Sequence, residues 1–404
     1  MVSYKAPVAE TQFVLSHVLR IEDYASLPGF AEAGGDIIDA VLAEGSRIAE
    51  EVLLPLNQSG DREGCSIDGG KVTTPQGFKQ AYGELAQGGW IGLTASPDNG
   101  GQGLPPVLGA ALNEYLTSAN MALAMYPGLS MGAYAALERH ASEQLKAIYL
   151  PKLASGEWAG TMNLTEPQCG TDLGLIRSSA KKKAEDDSYL IKGTKIFISA
   201  GEHDLTDNIV HLVLARIEGA PEGTKGVSLF VVPKFLPDES GNAGARNGVE
   251  CTALESKMGI HANATCVMQY EDAVGWLVGE EHRGLPAMFT MMNEARLGVG
   301  IQGLGLSEIA YQNAAAYAIE RLQGRALTGP ADPDKPADPL IVHPDVRRIL
   351  MDIRSFNEAA RALVLWTSLR ASVAQAGDET EAQAAEDHLG LVTPVIKGLL
   401  TAMG

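Results

Sequence analysis

A chain of 404 residues exceeds what one hydrophobic core usually organises, so two or three domains are expected. Apolar residues make up 45% and charged residues 20%, which excludes a largely disordered chain. The formal charge of −19 argues against nucleic acid as a partner, because binding phosphate needs a basic surface.

Residues 1–34 read as an arm whose aromatic and apolar spots (Tyr4, Phe13, Val14, Leu15, Val18, Leu19) pack on a neighbouring element. A helical domain is expected over 35–158. From Asp36 to Leu56, Ile37, Ile38, Val41, Leu42, Ile48, Val52 and Leu53 recur at helical spacing, an amphipathic helix that Pro55 ends. A polar loop then runs through Gly69-Gly70, and the next helix spans about 75–87 with Pro75 in its first turn. Gly88-Gly89 and the Asn99–Gly103 stretch mark a turn-rich connection. Two helical blocks rich in Ala, Leu and Met follow, over about 105–125 and 128–154, where Met121, Met125, Tyr126, Met131 and Tyr134 read as core rather than as a cofactor box. Gly128-Leu129-Ser130-Met131-Gly132 matches the G-x-S-x-G string of serine hydrolases, but it lacks the preceding strand that a nucleophile elbow needs.

The character changes near Gly156. Alternating, β-branched runs at Tyr189–Ile198, Ile209–Ile217, Gly226–Val232, Gly248–Leu254 and Thr265–Glu271, with short polar turns between them, predict a small β-barrel or sandwich over 159–280. Lys181-Lys182-Lys183, beside Asp186-Asp187, reads as a solvated hairpin turn. Residues 281–404 are helical again, with one pattern over 286–325. Pro330, Pro333, Pro336 and Pro339 then mark either a polyproline-type recognition segment or, better, a stiff connector. A long helix over 344–376 starts at Pro344, and Asp378 with Glu381 has capping-box spacing for a last one. The fold class is therefore α+β: a helical domain, a central β domain, then antiparallel helices.

The four cysteines (Cys65, Cys169, Cys251, Cys266) are far apart with no CxxC, which indicates neither zinc nor a disulfide framework. No histidine pair has metal-ligand spacing, and neither GxGxxG after a strand nor a P-loop is present. With no leader pattern at the N-terminus and no apolar run of ~18–20 residues, the reading is a cytoplasmic protein with reduced thiols and no membrane span.

The most informative stretch is Thr161-Met162-Asn163-Leu164-Thr165-Glu166-Pro167-Gln168-Cys169-Gly170-Thr171-Asp172, echoed by Lys195-Ile196-Phe197-Ile198-Ser199. Both end a β-type run on hydroxyl residues, between helical blocks, and so mark a ligand turn. Thr165-Glu166-Pro167-x-x-Gly170-Thr171-Asp172 resembles the TEP-x-x-G-[ST]-D signature of the acyl-CoA dehydrogenase family. Residues 190–199, LIKGTKIFIS, are similar to its second signature, and Lys257-Met258-Gly259-Ile260 and the Val278–Leu285 stretch match it too. The resemblance covers essentially the whole chain. It is greatest to the subfamily acting on 3-methylthiopropanoyl-CoA (3-methylmercaptopropionyl-CoA), on the evidence of the N-terminal arm and Met291–Arg296.

That resemblance implies FAD as cofactor. Met162, Asn163, Leu164 and Thr165 would line the flavin, with the Thr165 hydroxyl at its N5/O4 edge and Gly170 and Thr171 in the adjoining turn. Phe197, Ile198 and Ser199 would cover the other side, Phe197 standing where Trp is common and so losing an indole N–H. Thr171 stands for the commoner Ser near the thioester or pantetheine. Asn293 (for the usual Asp) and Arg296 would contact CoA, and Arg321 with Gln323 the flavin pyrophosphate across a dimer interface, where the planar guanidinium suits phosphate. The reaction implied is α,β-dehydrogenation of a short-chain acyl-CoA, 3-methylthiopropanoyl-CoA to 3-methylthioacryloyl-CoA being the candidate, with electrons passed to an electron-transfer flavoprotein. A homo-oligomer, a dimer or larger, is implied as well.

The family's usual base, in a Tyr-Glu-Gly-Thr string, is absent, and the alternate position before the Arg is Ala295. Glu294, ~100° around the helix, points elsewhere. The expectation is a truncated chain whose base lies beyond Gly404, so that no residue present is assigned as catalytic. A non-catalytic flavin- or CoA-binding fragment and an acyl-CoA oxidase of the same fold are the alternatives.

Overall fold

The computed structural model describes residues 2–404. In chain order its first elements are helices α1 (Val8–Phe13), α2 (Gly35–Arg47) and α3 (Asn57–Glu63), strands β1 (Ser66–Asp68) and β2 (Lys71–Thr73), and helices α4 (Phe78–Gln87), α5 (Pro106–His140) and α6 (Glu143–Ala154). Strands β3 (Trp158–Asn163), β4 (Ser179–Lys182), β5 (Ser188–Ser199), β6 (Asn208–Ile217) and β7 (Val227–Pro233) follow. Next come β8 (Phe235–Pro237), β9 (Ala243–Arg246), β10 (Val249–Leu254) and β11 (Thr265–Val278), then helices α7 (Gly284–Glu320), α8 (Pro344–Ala376) and α9 (Glu379–Met403). This is the α+β order expected from the sequence.

The chain divides into two compact units. One holds residues up to Pro55, Leu104–Met121 and Arg296–Gly404. Its helices enclose a charged group: the Arg361 guanidinium donates to Glu114 Oε1 (2.7 Å) and Glu308 Oε2 (3.1 Å), all three side chains being buried. The arm packs as expected at Tyr4, Val14 and Leu15, whereas Phe13 and Val18 face solvent. Backbone amides of Ser3 and Lys5 donate to Asn313 and Gln312 on α7. Asp378 caps α9 through the N–H groups of Thr380 and Glu381.

The other unit holds Leu56–Gly103 and Ala122–Ala295. Here β11 pairs with β5, β5 with β4, β4 with β6, β6 with β7 and β7 back with β11, so five strands close into a barrel. Closure leaves those strands no free edge. β10 extends the sheet beyond β11, and β3 extends it beyond β6 in parallel register. Ile191, Ile198, Val213, Phe230, Val232, Met268 and Tyr270 fill one apolar cluster. A second cluster joins Trp158 of β3 to Tyr149 and Leu153 of α6 and Ala133 of α5. Gly160 permits that contact, because a Cβ there would lie 2.4 Å from the Ala133 Cβ.

Several expectations are corrected. Residues 57–63 form α3 rather than a loop, since Pro55 sits in a single tight turn and the chain resumes helix after it. Gly69 and Gly70, at φ 53° and 76°, turn the β1–β2 hairpin, a Gly-Gly turn of the kind that favours hairpins. The helical run after residue 105 breaks at Asn120 (φ −158°, ψ 87°), whose side chain donates to the Leu53 carbonyl, and not near Pro127. Helix α7 stops at Glu320, not 325, leaving Arg321 and Gln323 on a connector. The buried Asp338 carboxylate organises that connector by accepting the N–H groups of Ala326, Ala331 and Asp332. Ser130 is buried, donates to the Tyr126 carbonyl and accepts the Gly160 N–H, which makes it a core hydroxyl.

Candidate functional site

Strand β3 carries the site because its polar side chains are held from behind. The Asn163 side chain donates to Thr161 Oγ1 (2.9 Å), and its Oδ1 accepts the Tyr270 hydroxyl (2.8 Å). Thr161 Oγ1 lies 2.8 Å from His211 Nδ1. The hydroxyl thus bonds the Asn163 amide on one side and the His211 ring on the other, the second ring nitrogen being Nε2. That Nε2 has no partner among the described residues. Burial, with Lys234 and Arg246 nearby, pushes the His211 pKa down to about 3, so the ring is neutral at physiological pH.

Beyond Asn163 the chain leaves the sheet. Thr165 O accepts the Ile196 N–H (2.9 Å), which ties the first signature segment to the second. Glu166 and Cys169 exchange backbone hydrogen bonds around a tight turn with Pro167 at its second position, and the Asp172 carboxylate accepts the Gly174 N–H. Gly170 faces Thr165, a Cβ there lying 3.8 Å from Thr165 Cγ2. Gly170 and Thr171 are exposed and Thr165 is half-buried. The Thr165 N–H and that of Leu164 meet no acceptor within the chain among the described residues.

On β5, Lys195 pairs with Met268 and Ile198 with Cys266, so Ile196 and Phe197 oppose one residue, Val267. This bulge puts Phe197 at φ 59°, in the left-handed region that a residue with a Cβ seldom occupies, and leaves the residue 60% exposed. Such an outlier points to a site. Ile198 goes the other way, into the apolar cluster of the barrel, and Ser199 is half-buried beside it.

Two charges missed as site residues lie between the segments. Lys195 (0% exposed) donates to Glu166 Oε1 (2.8 Å; Glu166 3% exposed) and to the Leu164 carbonyl (3.0 Å). Glu166 also accepts Ser178 Oγ and the N–H groups of Ser178 and Arg177. Burial raises the Glu166 pKa, but Lys195 and these donors outweigh it and hold the carboxyl at about 2. The signal was in the alternation of β5: Tyr189, Ile191 and Lys195 share the inward parity, and an inward lysine requires a buried partner.

On α7, Asn293 is exposed and Arg296 half-buried, while Met291 and Met292 join the apolar cluster that also takes Met162 and Leu164. Arg321 and Gln323, like Arg296, belong to the unit that holds the N-terminal arm, where Arg321 Nη2 donates to Gln323 Oε1 (3.3 Å) and both Arg321 and Gln323 remain exposed. A flat heteroaromatic ring with acceptor atoms on one edge suits what the barrel unit offers: two free N–H groups, a hydroxyl and an exposed aromatic face. Among the described residues no helix is long and apolar enough to cross a membrane.

Residues 40–157 match the family model for the acyl-CoA dehydrogenase N-terminal domain, and residues 161–273 the model for its middle domain. The chain is 44% identical, over 99% of its length, to the 3-methylmercaptopropionyl-CoA dehydrogenase of Ruegeria pomeroyi, of which it covers 67%. It is 35% identical, again over 99%, to a butyryl-CoA dehydrogenase of Syntrophomonas wolfei, of which it also covers 67%. The chain thus spans about two thirds of these relatives. An acyl-CoA dehydrogenase complexed with FAD from Bacillus anthracis shares the fold, with a TM-score of 0.73 at 22% identity over 92% of this chain and 59% of that one.

Proposed function

Because the chain belongs to the acyl-CoA dehydrogenase family, we propose that it serves the α,β-dehydrogenation of a short acyl-CoA thioester. The substrate we favour is 3-methylthiopropanoyl-CoA, oxidised to 3-methylthioacryloyl-CoA, which the similarity to the Ruegeria enzyme supports. The observation that carries the site is the hydrogen bond from Ile196 N–H to Thr165 O, which sets the exposed Phe197 bulge beside the free N–H of Thr165.

In this reading the Leu164 and Thr165 N–H groups and the Thr165 hydroxyl hold the polar edge of FAD, and Phe197 supplies an apolar wall. FAD, when bound, supplies the acceptor for the hydride leaving Cβ. Met162 and Asn163 contribute through backbone and shape, since the Asn163 amide is engaged with Thr161 and Tyr270. Ile198 and Ser199 border the wall, and Gly170 leaves room beside Thr165. Thr171, Asn293 and Arg296 bind the acyl-CoA, the guanidinium pairing with phosphate through its fork of donors. Arg321 and Gln323 bind the pyrophosphate of the flavin held by a second copy, so the working form is at least a dimer. Segments 35–158, 159–280 and 281–404 act as its domains, the protein works in the cytoplasm, and electrons leave to an electron-transfer flavoprotein. Ala295 carries no acid group, and proton abstraction from Cα is assigned to none of residues 1–404.

Anaerobic titration of the intact protein with acyl-CoAs of increasing chain length tests this. Short acyl-CoAs should bleach the flavin absorbance, and 3-methylthiopropanoyl-CoA should do so at the lowest concentration. A flavin left oxidised by every thioester would overturn the assignment, and stoichiometric peroxide in air would replace the dehydrogenase by an oxidase. Thr165→Ala should weaken flavin retention about 3–10-fold, the equivalent of one hydrogen bond; unchanged retention and reduction rate would remove Thr165 from the site.

A further inference from the structure

Buried ion pairs seldom stabilise a fold better than well-packed apolar residues would, because two charges must be stripped of water. The Lys195–Glu166 pair therefore invites a reason beyond stability. Its surroundings are specific. Glu166 takes donors from Lys195, from the Ser178 hydroxyl and N–H, from the Arg177 N–H and from the Gln168 amide. These bonds fix the carboxylate against the segment that leads into β4. The carboxylate in turn fixes the ammonium, whose other bond is to the Leu164 carbonyl at 3.0 Å.

That last bond has a geometric consequence. In a trans peptide the C=O and the following N–H point in opposite directions. Drawing the Leu164 carbonyl toward the buried ammonium turns the Thr165 N–H away from it. The next peptide is held the same way, since Thr165 O accepts the Ile196 N–H. Both peptide planes flanking Thr165 are thus set by β5, one by a side chain and one by the backbone. Lys195 is also the last regularly paired residue before the bulge that turns Phe197 outward. A single buried side chain therefore anchors both walls of the candidate flavin site.

We propose that Lys195, held by Glu166, is a positioning residue that orients the Leu164–Thr165 peptide, and with it the N–H presented to the flavin edge. This rests on the flavin-site reading given above. Lys195 is fully buried and acts on that N–H through the Leu164 carbonyl. The group that matters is thus a hydrogen-bond donor at the Lys195 Nζ position, not a positive charge.

The test separates donor from charge in the intact protein. K195M/E166Q removes charge and donor, while the Gln carbonyl can still accept from Ser178 and Arg177. K195Q/E166Q is equally neutral but restores an amide donor toward Leu164. Apoprotein of each is titrated with FAD, and the affinity, the fine structure of the flavin absorbance and the flavin midpoint potential are recorded beside the melting temperature. The expected result is a loss of affinity of about tenfold or more in K195M/E166Q, with a changed spectrum and potential, the worth of one charge-assisted hydrogen bond. K195Q/E166Q should return to within about threefold of the parent. Equal affinity, spectrum and potential in K195M/E166Q and the parent would overturn the proposal, as would equal losses in the two variants. If K195M/E166Q does not fold, K195Q/E166Q against the parent decides: a loss of about tenfold or more despite the restored donor overturns it, and near-parental behaviour sustains it. A parent that takes up no FAD fails differently, by overturning the flavin-site reading itself.

Discussion

Acid should unfold this protein earlier than its carboxylates alone would require, through His211. The ring is fully buried, shares a hydrogen bond with Thr161 through Nδ1, and has its pKa pushed down to about 3 by burial and by the nearby Lys234, Arg246 and His203. In the unfolded chain the same ring titrates near ~6.5. Above that pH neither state binds the proton and His211 has no effect. Below it the unfolded chain takes up a proton that the folded state refuses, so stability falls as pH drops, by about 1.4 kcal/mol per unit. Between pH 6.5 and 5 that amounts to about 2 kcal/mol, a large part of a typical 5–15 kcal/mol. His203, equally buried and pushed down to about 3 by burial and by Lys234, contributes a second slope of the same sign. Urea unfolding followed by circular dichroism at pH 7, 6 and 5, with the m-value held constant, measures the sum. His211→Asn keeps a hydrogen-bonding amide beside Thr161 and removes the titrating ring, so its stability should fall about 1.4 kcal/mol per unit less steeply. A variant slope equal to the parent's would show that His211 is not a proton-refusing group. Because Thr161 also supports Asn163, flavin release should accompany unfolding over the same pH range.

Phe197→Gly should separate stability from binding: it relieves a left-handed residue with a Cβ, worth about 1–2 kcal/mol, while removing the exposed ring, so the melting temperature should hold or rise as flavin affinity falls. A parallel fall in both, seen by calorimetry and FAD titration, would mean that the ring packs rather than stacks. Arg361→Met leaves Glu114 and Glu308 buried without their cation and should cost about 3–5 kcal/mol at pH 7 in denaturant titration, with recovery as pH falls and Glu114, whose pKa burial already raises, protonates. A cost that does not shrink in acid would assign the loss to packing instead.

Alternation and turn chemistry in single stretches made much of this protein legible. The runs at Tyr189–Ile198 and Ile209–Ile217 fall within β5 and β6, the run at Gly248–Leu254 overshoots β10 by one residue, and the helix read over 344–376 is α8 to the residue, because period and capping act locally. Thr165 and Phe197 were legible as a motif. That Phe197 stands on a bulge at positive φ was not, since a bulge is a mismatch between two strands and only Val267 opposite reveals it. The helix end at Glu320 was hidden for a similar reason: the chain just past it pairs with a distant stretch, Gln323 N–H with the Asp338 carbonyl and Leu340 N–H with the Arg321 carbonyl. Sequence alone determined the order of elements and the chemical identity of both signature segments. Only the tertiary structure decided that Lys195 meets Glu166, closing one segment on the other. A buried charge must find its counter-charge somewhere, but where it does so is settled by strand register and chain crossing, which no single stretch encodes.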